Sequence, residues 1–127
     1  MAIELNHTIV LSSDKERSSR FLTELFDLPP AKPFGPFMAV EAANAVTLDY
    51  MDTAEAIVPQ HYAFLVGEDD FDRIFGRIRD RGMEYWADPG KSRPGEINRN
   101  DGGRGVYFDD PDGHRLEIIT RPYGSGG

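Results

Sequence analysis

The chain has 127 residues, 39% of them hydrophobic, which is enough for one sizeable core and short for two independent ones. Asp and Glu (22) outnumber Lys and Arg (14), and the formal net charge of −8 argues against nucleic acid or an anionic membrane surface as a partner. There is no cysteine, so a disulfide framework, a thiolate metal site and a Cys nucleophile are all excluded.

The first residues lack a basic segment followed by a long apolar one, and no apolar run approaches ~18 residues, so a cytoplasmic protein is expected. Leu5–Leu11 reads as a strand. Ser13 with Glu16 has the form of a capping box, and Phe21, Leu22, Leu25 and Phe26 then fall on one helical stripe that Leu28-Pro29-Pro30 ends. Pro33–Val40 and Ala45–Met51 read as two further strands, with room for a short one near Leu28–Lys32. In the second of them Val46, Leu48 and Tyr50 alternate with Thr47, Asp49 and Met51.

The pattern then begins again. Gln60–Val66 reads as a strand, and Asp69 leads into a helix with Phe71, Ile74, Phe75 and Ile78 at i, i+3, i+4, i+7 spacing before Gly82. Met83–Trp86 is expected to be a short strand. Asp88–Arg104 is a long loop, read as a mobile lid with Gly102, Gly103 and Gly105 as hinges. Gly105–Asp109 and His114–Thr120 should pair as a hairpin around Asp110-Pro111-Asp112-Gly113. Residues 123–127 form a glycine-rich end expected to be mobile unless it docks.

Each half therefore reads as βαβββ, module one being about residues 1–55 and module two about 56–122 of a single domain. Each opens on an amide residue followed by a histidine on a strand that runs into a helix: Asn6-His7 and Gln60-His61. An internal repeat that cannot close its own core implies two units packed together with equivalent residues near a pseudo-twofold axis. His7 and His61 are then candidate ligands. With Glu117 on an inward face of the last strand they make two imidazoles and one carboxylate, a set suited to Fe, Mn, Ni or Zn with positions left for substrate.

These residues carry a resemblance. The doubled plan, His7, His61 in HYAF and YFDDPDGHRLE ending in Glu117 resemble the vicinal oxygen chelate superfamily, which includes glyoxalase I, extradiol dioxygenases, fosfomycin-inactivating thiol transferases and bleomycin-binding resistance proteins. The resemblance implies an α+β fold of paired βαβββ modules forming a curved sheet around a central cavity. It puts His7, His61 and Glu117 on the three metal-ligand positions. By similarity to glyoxalase I, Asp49 is the candidate for a further carboxylate with a catalytic role beside Glu117. HYAF and PDGHRLE are most similar to the fosfomycin enzymes, but Gly90–Arg104 is longer than their loop and lacks its potassium and phosphonate pattern, so that substrate is not carried over.

Arg115, Tyr62, Tyr107, Arg99 and Arg104 are the candidate substrate contacts, with Lys91 and Arg93 as further loop cations and Trp86 and Phe37 as further aromatics. Arg115 has an alternative as the partner of a surface acid. His114 is expected to be a turn residue bonding its own backbone. The resemblance implies a divalent-metal enzyme acting on a small oxygen-bearing substrate as a lyase, dioxygenase or transferase, and an exposed strand edge implies a homodimer. The alternative is a non-catalytic resistance protein that sequesters a small molecule.

Overall fold

The computed structural model describes residues 2–126, which form two compact units, residues 1–58 and 59–127 with the two terminal residues outside the description. In unit 1, β1 (His7–Ser12) leads into α1 (Lys15–Phe26), followed by β2 (Lys32–Phe34), β3 (Phe37–Glu41) and β4 (Thr47–Asp52). The sheet order is β1-β4-β3-β2, with β1 parallel to β4 and the other pairs antiparallel. A parallel pair needs a crossover, which α1 and the β2–β3 hairpin provide. One sheet face buries Val10, Val40, Leu48 and Tyr50, and α1 adds Leu22 and Leu25 to that core.

The expected strand Pro33–Val40 is two strands, because Gly35 at φ 55 turns the chain between them. The cap of α1 is Asp14 and not Ser13: the Asp14 carboxylate accepts from Arg17 N at 3.1 Å, while the Ser13 hydroxyl accepts from the Arg17 guanidinium. Either oxygen can satisfy an orphan helix N–H, and the sequence offered both.

In unit 2, β5 (His61–Leu65) leads into α2 (Glu68–Asp80), and β6 (Gly105–Asp109) and β7 (Arg115–Ile119) form the last hairpin. The sheet order is β5-β7-β6, with β5 parallel to β7. Phe71, Ile74 and Ile78 of α2 are buried, as are Val106, Phe108, Leu116 and Ile118 on alternate positions of the hairpin. The acidic first turn, Glu68, Asp69 and Asp70, faces the positive end of the α2 dipole.

Met83–Trp86 is not a strand. Only Trp86 pairs, exchanging backbone bonds with Tyr107 at 2.9 and 2.8 Å, after which Ala87 bonds within the loop instead. Nor is the loop after it loose. The Asp88 carboxylate accepts from Ser92 and Arg93, Gly95 N donates to Tyr85 O, and buried Asn98 both pairs with Gly105 and donates to Ala87 O at 2.9 Å. The expected hinge glycines are close-packing positions: a Cβ on Gly103 would lie 2.5 Å from Thr120 Oγ1, and one on Gly105 would lie 2.8 Å from Asn98 Oδ1. The end of the chain docks as well. Asp101 accepts from Gly124 N at 3.2 Å and Gly126 N at 3.0 Å, while Gly127 lies outside the described residues.

Candidate active site

Strand alternation and register decide which of the expected residues share a face. On β5, His61, Ala63 and Leu65 lie on one side; on β7, Arg115 stands beside His61 and Glu117 beside Ala63; on β6, Tyr107 stands across from Glu117. This brings together His61, Glu117 and Tyr107. His61 Nε2 is 3.2 Å from Glu117 Oε1, and the imidazole lies 5.9 Å from the Tyr107 ring in a near-parallel stack. Burial, together with the Glu117 carboxylate across from it, pushes the Tyr107 pKa up to about 12.

His61 Nδ1 is 3.0 Å from Arg115 O, a carbonyl that can only accept, so Nδ1 carries a proton and Nε2 is the nitrogen that faces the Glu117 carboxylate. An imidazole nitrogen and a carboxylate oxygen converging in this way are the donor types of a divalent metal site. His7 repeats the pattern in unit 1: its Nδ1 is 2.7 Å from Asn6 Oδ1, which leaves its Nε2 as the acceptor nitrogen.

The repeat extends to the carboxylates. In unit 1, His7 stands beside Thr47 and Ile9 beside Asp49, as His61 stands beside Arg115 and Ala63 beside Glu117 in unit 2. Asp49 is thus the internal equivalent of Glu117, and it is buried, at 6% exposure. His7 and Asp49 line one cleft of about 670 Å³ whose wall includes Pro29, Pro33, Phe34 and Phe37. Among the described residues no group of three or more His, Cys, Asp or Glu gathers around one point, so His61 and Glu117 are a pair within unit 2.

Other expected contacts lie elsewhere. Tyr62 is on the opposite face of β5, edge-on to the buried His114 ring, because successive strand residues alternate. Arg115 shares the Glu117 face, but its guanidinium bonds Asp109 and Pro89 O and lies 5.5 Å over Trp86. Lys91 pairs with Asp109 at 3.1 Å over the same indole. Arg104 is occupied by Glu68 and Asp72 of α2 and lies 4.4 Å over Phe71. Arg99 is exposed on the loop. His114 is not the residue that makes the turn: Asp110 Oδ1 accepts from Asp112 N and His114 N, while His114 Nδ1 accepts from Gln60 N at 2.9 Å.

The whole of residues 4–118 matches the family Glyoxalase/Bleomycin resistance protein/Dioxygenase superfamily. The chain belongs to this vicinal oxygen chelate superfamily. It is 31% identical over 124 residues to glutathione transferase FosA of Serratia marcescens, covering 93% of this chain and 81% of that one. Among solved structures it is similar to oxidase ChaP-H1 (63% identity, 97% and 99% of the two chains, TM-score 0.95) and oxidase ChaP-H2 (64%, 100% of both, TM-score 0.97). These superfamily relatives are named as a transferase and as oxidases, and the chain is an enzyme of the same superfamily. No helix among the described residues is long and apolar enough to cross a membrane.

Sequence reading missed Asn98, Asn100, Arg121 and Tyr123, which line a cavity of about 420 Å³ in unit 2 together with Tyr107 and Glu117. The signal was faint: only the positions of Arg121 and Tyr123 just beyond the strand that carries Glu117 pointed there.

Proposed function

We propose that the protein is a divalent-metal-dependent oxidase in which His61 and Glu117 of unit 2 are metal ligands, with His7 as the repeat-equivalent histidine of unit 1. The observation that carries the metal reading is the His61 Nε2 and Glu117 Oε1 pair, an imidazole nitrogen and a carboxylate oxygen 3.2 Å apart on one face of the unit 2 sheet. Fe, Mn, Ni and Zn all suit this nitrogen and oxygen donor set. A metal bound here supplies Lewis-acid polarisation of the substrate oxygens it chelates. The oxidase class is supported by the likeness to ChaP-H1 and ChaP-H2 over nearly the whole chain. In that class the substrate loses electrons and dioxygen accepts them.

This chain's own residues supply orientation. Tyr107 stands across from Glu117 and stacks on His61, and its hydroxyl is assigned the role of orienting the carboxylate. Asp49, the repeat equivalent of Glu117, is assigned as the carboxylate of the unit 1 cleft that it shares with His7. A cysteine-free chain suits a reducing cytoplasm.

Elemental analysis of protein purified without chelators tests the reading. About one equivalent of a divalent first-row metal is expected in the wild type, with strong depletion in Glu117→Gln and in His61→Ala. Wild-type retention by both variants would refute the ligand assignment. Oxygen uptake with oxygen-bearing aromatic substrates, abolished by chelator and restored by metal, tests the oxidase class.

A further inference from the structure

The cavity of unit 2 holds a cation that the metal reading does not use. Arg121 lines it together with Glu117 and Tyr107. Its stem is fixed by packing over the loop, since a Cβ on Gly103 would lie 2.5 Å from Arg121 Cγ and one on Gly102 would lie 3.9 Å from its Nη1. Arg121 is absent from the ion pairs of the described residues, whereas the neighbouring cations are engaged: Arg104 by Glu68 and Asp72, Arg115 and Lys91 by Asp109. Of the two carboxylates on the cavity wall, Glu117 is paired with His61, and Asp101 accepts from Gly124 N and Gly126 N.

We propose that Arg121 is a specificity-determining residue that binds an oxyanion group of the substrate, a carboxylate, phosphate or ionised oxygen separate from the oxygens that meet the metal. A guanidinium offers paired donors matched to such a group. Placing an anion in a cavity that also holds Glu117 requires that the carboxylate be offset by a cation, so the inference rests on the metal reading. Asp101 is the positioning residue: it draws the last residues against the loop and so holds the segment that carries Arg121 and Tyr123 on the cavity wall. The substrate class that follows is a small molecule with at least two chelating oxygens at one end and an anionic oxygen at the other.

The test titrates inorganic phosphate into the Mn-loaded protein by calorimetry, comparing wild type, Arg121→Gln, which keeps most of the packed stem, and Arg121→Lys, which keeps the charge. Bound Mn is measured in the same samples. The inference expects unchanged Mn content in all three, a loss of phosphate affinity of about ten- to a hundredfold in Arg121→Gln, and partial recovery in Arg121→Lys. Equal phosphate affinity in wild type and Arg121→Gln, or no binding by the wild type, overturns it. If the wild type fails to retain Mn, the metal reading fails. That outcome removes the premise of this inference as well, whereas retained Mn with an Arg121-independent phosphate affinity overturns this inference alone.

Discussion

Tyr107 shows how one side chain ties sheet register to site chemistry. It stands directly across from Glu117, that carboxylate raises its pKa, and its ring stacks on His61. Outer-shell donors of this kind typically change metal affinity by about 10- to 100-fold, so Tyr107→Phe should lower Mn affinity by that amount while Glu117→Gln removes retention. Equal affinity in Tyr107→Phe would show that the hydroxyl does not orient the carboxylate. The same hydroxyl sets a pH dependence. Its pKa is raised to about 12 from the ordinary 10.0, so the folded state holds the proton more tightly than the unfolded chain. The stabilisation is complete below the unfolded value and is lost as pH rises from about 10 through about 12. In metal-free protein, denaturant midpoints should therefore fall over that window, and Tyr107→Phe should flatten the fall.

At the scale of elements, the loop between Trp86 and Gly105 is a pinned segment, which gives a direct test. Gly105→Ala places a methyl 2.8 Å from Asn98 Oδ1. It must push aside a buried amide that ties the loop to Ala87, at a cost of about 1–3 kcal/mol. A chemical denaturation curve unchanged from wild type would restore the lid reading. Helices and the first strand of each unit were legible in the sequence because 3.6-residue stripes and apolar runs report burial directly, as Leu22 and Leu25 or Ile74 and Ile78 do. Asp49 was legible too, since a period-2 alternation fixes its face whatever the register. The loop was not legible. Its order comes from Asp88, Asn98 and Asp101 bonding backbone groups distant in sequence, and such side chains look the same whether solvated or engaged. The partners of Arg104 and Arg115 were not legible for a related reason: a cation's partner is set by three-dimensional proximity, and both lie beside acids and an aromatic ring.

At the scale of the whole molecule, the open question is how many copies act together. In unit 1, β1 stands at one end of its sheet, and Ile9, on the His7 face, is 46% exposed; in unit 2, β5 stands at the end of its sheet with Leu65 at 61%. Edge strands with apolar side chains invite pairing with another chain, and identical chains usually pair by a closed twofold operation. We therefore predict a homodimer. Light scattering at micromolar concentration should give twice the 14.2 kDa chain mass. Each chain carries a net charge of −8, so association opposes like-charge repulsion and should tighten with added salt as the screening length shortens from ~30 Å toward ~8 Å. The double variant Ile9→Lys with Leu65→Lys should dissociate the dimer while each unit keeps its circular dichroism, because both side chains are solvent-exposed in the single chain. A wild type that stays monomeric at all salt concentrations, or a double variant that remains dimeric, would show that these edges do not make the contact.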